Sequence, residues 1–326
     1  MEIDYTKIKG VIEEVRDTDF VAGTIPYEVV CEDWRPYLPN PEKQKRGRWD
    51  TMSCVTFSAL NVLETQLNFM LATGKIAPFA VERLIEMGYI VDGQFNFSER
   101  FTAVMSGTTD QGNSLQNVWD SIRHDGLLPE RDCPYTDTMT KTQYFANNFT
   151  EDNKTKAKSF LGYIDIAYEW LIVNSFALVD WEVESIKKAL KQSPLQFVTP
   201  VSNWNKNPCT PNPKETTGVH ATMNWKTVNF YDIEDHYDPF LKQLSGDYMI
   251  RYAMKAVATL NDNIKAEMTN TKFVKDTNSD TVYLAYPINT PTAMESYAMN
   301  VGKDIKRNPD GSVDVLGMVE GSITIK

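Results

Sequence analysis

Three residues of this chain could share one reaction: the thiol of Cys54, the imidazole of His220 and the carboxylate of Asp235, in that order. A thiolate is a strong nucleophile. An imidazole can take up and return a proton, and a carboxylate can fix the imidazole's tautomer and stabilise the imidazolium. The chain has only three histidines, His124, His220 and His236, so few residues compete for the part of base. His124 lies in Ile122-Arg123-His124-Asp125-Gly126 at an expected helix end, where interaction with the helix dipole accounts for it. His236 follows Asp235 in an expected strand-to-loop turn. His220 opens the strand-like run that ends at Trp225, a place from which a ring can be presented to a cleft. Taken singly, each residue has an ordinary structural role, and a lone cysteine usually just packs. What joins them is their order and their position at element ends.

Cys54 heads a helix. Phe57, Leu60, Leu67 and Leu71 recur at helical spacing, and Val55, Leu63, Phe69 and Met70 add apolar flanks. A helix apolar on so many sides belongs inside a domain. Thr51 or Ser53 is placed to cap it, and a thiol in its first turn feels the positive end of the dipole, which favours the thiolate. Further helices are expected over Pro78–Met87, from Ser114 through Ile122, and over Glu182–Lys191. Strands are expected over 195–201, 228–233 and 248–252, and in the alternating run Thr281–Tyr286. Ile8, Val11, Ile12 and Val15 could share one face of a short helix, and residues 136–160 read as a polar surface insertion without period. Helices dominate the first half and strands the second, which predicts an α+β architecture.

The chain has 326 residues, 42% hydrophobic and 24% charged, enough for one large domain with a small appendage. Its net charge is -11 and no basic run carries interleaved aromatics, so nucleic acid is not an expected partner; the longest apolar runs are far too short to cross a bilayer, so neither is a membrane. No pair among Cys31, Cys54, Cys133 and Cys209 has metal-ligand spacing, and no apolar signal core opens the chain. The expectation is free thiols, no metal, no organic cofactor and a cytoplasmic chain. The expected division is an N-terminal extension over 1–23, a main domain over 24–262 and a C-terminal extension or small interaction domain over 263–326.

Seven short stretches, in order, resemble papain-type cysteine peptidases. Asp33-Trp34-Arg35 is similar to the family's mature N-terminal segment, and Cys54-Val55-Thr56-Phe57-Ser58-Ala59 resembles its nucleophile segment Cys-Trp-Ala-Phe-Ser-Ala. Ser98-Glu99 resembles the Ser-Glu before the glycine-rich subsite loop, for which Gly112-Asn113 would stand. Pro134-Tyr135, Ser193-Pro194-Leu195, Gly218-Val219-His220-Ala221 and Ile233-Glu234-Asp235-His236-Tyr237 follow; the last puts Asp235 where the family has asparagine. The likeness covers about residues 24 to 262, with insertions at about 75–95 and 136–180. It implies a two-lobe fold, with a helical lobe around the Cys54 helix and a lobe built on a bent antiparallel sheet. It also implies peptide-bond hydrolysis through an acyl-enzyme, with Cys54, His220 and Asp235 as the triad and Gly112, Asn113 and Val219 facing a protein or peptide substrate. The family's oxyanion glutamine lies six residues before the cysteine, where this chain has Arg48; Gln44 takes the role if the loop is longer, and the Trp49 indole is a rival donor. Intracellular members of this kind occur in bacteria and their viruses, and a bacterial virus is the expected source. Two alternatives stand beside the peptidase. One is an inactive scaffold docking to partner subunits of a larger assembly, such as a virion, through residues 263–326. The other is a different Cys-His-Asp enzyme, a cell-wall amidase or a transglutaminase-like protein.

Overall fold

The computed structural model describes residues 10–12, 21–22, 31–201, 203–212, 219–261 and 264, and the backbone of five strands between residues 273 and 325. The chain divides into two compact units, one of residues 1–73 and 84–263, the other of residues 74–83 and 264–326. The first unit holds β1 (Val21–Ala22), α1 (Cys54–Ala72), β2 (Ile90–Val91), β3 (Gln94–Phe95), α3 (Glu99–Met105) and α4 (Leu115–Asp125). These are followed by α5 (Lys141–Tyr144), α6 (Glu151–Ser159), β4 (Ile164–Ile172), α7 (Asp180–Leu190), β5 (Leu195–Pro200), β6 (Val219–Thr227), β7 (Phe230–Glu234), β8 (Leu241–Ser245) and β9 (Tyr252–Leu260). Helix α2 (Pro78–Met87) crosses the boundary between the two units at 83/84. The second unit carries an antiparallel pair, β10 (Phe273–Lys275) with β11 (Val282–Leu284), and a meander of β12 (Asp304–Arg307), β13 (Val313–Leu316) and β14 (Ser322–Ile325).

Helix α1 is the core of the first unit, buried without a break from Cys54 to Met70. Its apolar residues drive that burial, and its polar ones must find partners there. Gln66 donates to the Ala256 carbonyl (2.9 Å) and accepts from the Ala258 N–H (3.1 Å), so one side chain stitches the helix to β9. Asn68 accepts from the Phe95 N–H (2.8 Å) and Glu64 from the Phe97 N–H (2.8 Å). Against α1 lies a seven-stranded antiparallel sheet in the order β1-β4-β9-β5-β6-β7-β8, with bulges in β4 and β6 that bend those strands. Strand β5 is buried at every residue, its polar Gln196 included, whose amide donates to the Val55 carbonyl of α1 (2.8 Å).

Several expectations shift. Residues 136–160 are no featureless insertion: α5 and α6 begin there, each under a capping box, Thr140 with Gln143 and Thr150 with Asn153. Residues 248–251 are not strand; β9 starts at Tyr252 and runs nine residues. Ser53 is the N-cap of α1, yet its hydroxyl donates to the Thr51 carbonyl (3.2 Å) and does not cap. Val11 forms a parallel bridge with Asn113 and is not helical, while Ile8 and Val15 lie outside the described residues. Among the described residues no helix is long and apolar enough to cross a membrane.

Candidate active site

Cys54, His220 and Asp235 are all fully buried, and they come together from three elements: the first residue of α1, the second residue of β6, and the residue just past β7. Strands β6 and β7 are antiparallel neighbours, so pairing of Met223 with Glu234 brings the start of β6, with His220, beside the end of β7, with Asp235. His220 Nε2 lies 2.7 Å from Asp235 Oδ1. Its other nitrogen, Nδ1, has no conventional hydrogen-bond partner among the described residues, and the Cys54 thiol is the neighbour that nitrogen can serve. Burial alone would push the His220 imidazolium down, but the Asp235 carboxylate and the Cys54 thiol together hold it up at about 10. Burial would likewise lift Asp235, yet His220 and Lys242 beside it bring it to about 2. The imidazole is flanked by aromatic rings, Trp204 edge-on at 5.3 Å and Tyr237 at 5.4 Å.

Nothing in the sequence singles out Lys242. Its Nζ donates to Asp235 Oδ2 (2.5 Å), to the Tyr237 carbonyl (2.8 Å) and to the Pro239 carbonyl (2.6 Å). All three ammonium hydrogens are thus used inside the protein, as a buried lysine requires. A lysine seven residues past an aspartate carries no signal of its own; only the β7–β8 hairpin, which pairs Glu234 with Leu241, brings the two together. His236 is buried too, and burial pushes it down to about 3, so it stays neutral there.

Gln44 also lies in the site's wall, where its amide donates to Asp50 Oδ1 (2.7 Å) and to the Tyr237 hydroxyl (2.9 Å). Both amide hydrogens are committed, so one of those bonds has to be exchanged before Gln44 can serve an oxyanion. The Trp49 indole donates to the Met139 carbonyl (2.9 Å).

An extended segment already crosses this site. The Asn113 N–H donates to the Gly10 carbonyl (3.1 Å) and the Ile12 N–H to the Asn113 carbonyl (2.8 Å). Gly112, at φ +97, and Gly10 have to be glycines for this approach. A Cβ on Gly112 would overlap the Gly10 carbonyl, and a Cβ on Gly10 would overlap Cys54 Sγ. The Asn113 side chain is tied to Ser106 and Thr108, which leaves its backbone to pair with the passing strand. Val219, at the start of β6, pairs with Pro200.

No family model matches the chain, and no curated protein matches it. Among solved structures it is similar to the Amb a 11 cysteine protease of ragweed pollen in its proform (15% identity over 74% of this chain and 68% of that one, TM-score 0.43). It is also similar to xylellain, a cysteine protease from Xylella fastidiosa (16%, 80% and 98%, TM-score 0.45). A third likeness is to procathepsin B S9 from Trypanosoma congolense (10%, 78% and 88%, TM-score 0.49).

Proposed function

We propose that the chain is a divergent papain-like cysteine peptidase acting on an extended peptide. The observation that carries this reading is the buried His220–Asp235 pair, 2.7 Å apart, in one site with a thiol at a helix N-terminus. The strand pairing of residues 10–12 with Asn113 supports the substrate class, because it presents peptide backbone to the same site. In the reaction the Cys54 thiolate attacks a peptide carbonyl, and His220 protonates the departing amine as the C–N bond breaks. His220 then takes a proton from water, which attacks the thioester and releases the acid and the Cys54 thiolate, restoring the thiolate–imidazolium pair. Asp235 keeps the imidazole oriented. The Cys54 backbone N–H and, after exchange of one hydrogen bond, the Gln44 amide stabilise the oxyanion.

A second reading, an inactive scaffold, is favoured by two observations: Gln44 is engaged elsewhere, and Gly10 covers the sulfur. Alkylation of the native protein at mildly acidic pH, located by mass spectrometry, separates the two. For the peptidase, Cys54 is labelled faster than Cys31, Cys133 and Cys209, and His220→Ala abolishes the difference. Equal labelling of all four thiols would favour the scaffold.

A further inference from the structure

We infer that Lys242 is a positioning residue of this site, the fixed counter-charge that allows an aspartate to be the third member of the triad. The inference rests on the proposed thiol chemistry and goes beyond it, to a fourth residue. An asparagine in the third position would orient the imidazole without adding charge. An aspartate adds a full negative charge in a fully buried place. There a carboxylate is stable only if paired and hydrogen-bonded. Asp235 is both. One oxygen takes the His220 N–H and the His236 backbone N–H, each at 2.7 Å, and the other takes Lys242. The lysine is equally enclosed, its head 5.6 Å from the Trp204 ring centroid and its remaining donors on two carbonyls.

Asp235 and Lys242 therefore form a neutral unit, and the Cys54–His220 pair is left to balance its own charges. The other titratable groups around them are Cys54 and Asp50 from the α1 side, Cys209 from the loop before β6, and Glu234, His236 and Tyr237 from the β7–β8 hairpin. Burial pushes Glu234 up to about 8 and Cys209 up to about 11, and it raises Tyr237, so all three sit on the uncharged side near neutrality; His236 is uncharged as well. None of these four can replace the ammonium.

The test is an NMR titration of His220 in full-length protein carrying labelled histidine, which reads the ring directly whether or not Gly10 admits a reagent. Lys242→Met leaves the carboxylate uncompensated and should move the His220 midpoint up by about one pH unit or more. Asp235→Asn leaves the lysine uncompensated and should move it down by about as much. The double variant Asp235→Asn/Lys242→Met should fall between the two singles. Opposite shifts that cancel are the signature of a compensating charge, and a purely structural lysine would not produce them. A midpoint unmoved by Lys242→Met, or shifts in the same direction, would overturn the inference. If Lys242→Met alone does not fold, Asp235→Asn with and without Lys242→Met decides: equal midpoints overturn the inference, and a higher one in the double variant supports it. If neither single variant folds, folding of the double variant supports the compensated unit and its unfolding overturns it. A Cys54→Ala variant keeps the two readings apart. A His220 midpoint that ignores Cys54 removes the thiol pair while leaving the Lys242 result intact.

Discussion

Two buried acids in this protein, Asp235 and Glu99, meet opposite fates. Asp235 sits between His220 and Lys242 and is held down at about 2. Glu42, Glu99 and Glu130 converge with their oxygens within 4.8 Å of one another, and among the described residues the one cation bonded to them is Arg46, 2.9 Å from Glu42. Burial, and then the neighbouring carboxylates, push Glu99 well above its ordinary range and Glu130 to about 8. Asp235 and Glu99 lie equally deep, with Glu42 and Glu130 only partly buried, and the outcome for the two deep acids differs because of the partner. Where a cation can be placed, a buried acid stays charged and can do electrostatic work. Where acids face mainly one another, a proton takes the cation's place.

The largest break in that contrast is Lys242→Met, which removes one partner of a buried ion pair and should cost about 3–5 kcal/mol in urea denaturation. Glu99→Gln replaces an already protonated acid by a neutral isostere and should cost under about 1 kcal/mol. Equal costs would mean that the two clusters hold charge alike.

Next in size is the pH dependence of stability. Glu130 and Glu234, both at about 8 when folded, have raised values; their contribution is complete below the unfolded carboxylate value of 4.5 and is lost as pH climbs to about 8. His220, raised from 6.5 to about 10, loses its contribution between those values. His236, lowered from 6.5 to about 3, acts in the opposite direction, but only below 6.5. From 6.5 upward, Glu130, Glu234 and His220 all lose stability together, so the Tm should fall by roughly 5 °C or more on going to about pH 9. Glu130→Gln should flatten the slope up to about pH 8, and a level Tm in the parent protein would mean the acid cluster carries no protons.

The smallest effect sharpens the site alone. Gly10→Ala puts a methyl group where Cys54 Sγ lies, so it should displace residues 10–12 and raise Cys54 alkylation about tenfold with little change in Tm. An unchanged rate would mean that the segment does not limit access to the sulfur.

Much of the layout was legible in the chain. The periodicity after Cys54 marks α1 because an all-round apolar helix has nowhere to go but the interior, and Pro78–Met87 is a helix with the bounds its flanking residues announce. Helices α5 and α6 carry capping boxes in the sequence but no apolar stripe, so their stretch reads as polar insertion rather than helix. Tyr248 and Ile250 have the pattern of a strand, yet they join the apolar cluster packed on the sheet without joining a strand, and β9 starts only at Tyr252. The structure brings together Cys54, His220 and Asp235, the three residues that chain order singles out, and pairs the Asn113 backbone with residues 10–12.

The sequence by itself determined which groups could react and which elements would carry them, because residue chemistry and helical or strand period are local properties. Only the tertiary structure decided which charges are compensated. Lys242, Gly10 and the partners of Gln44 matter through neighbours that pairing and burial supply, and a buried charge takes its state from those neighbours rather than from its place in the chain.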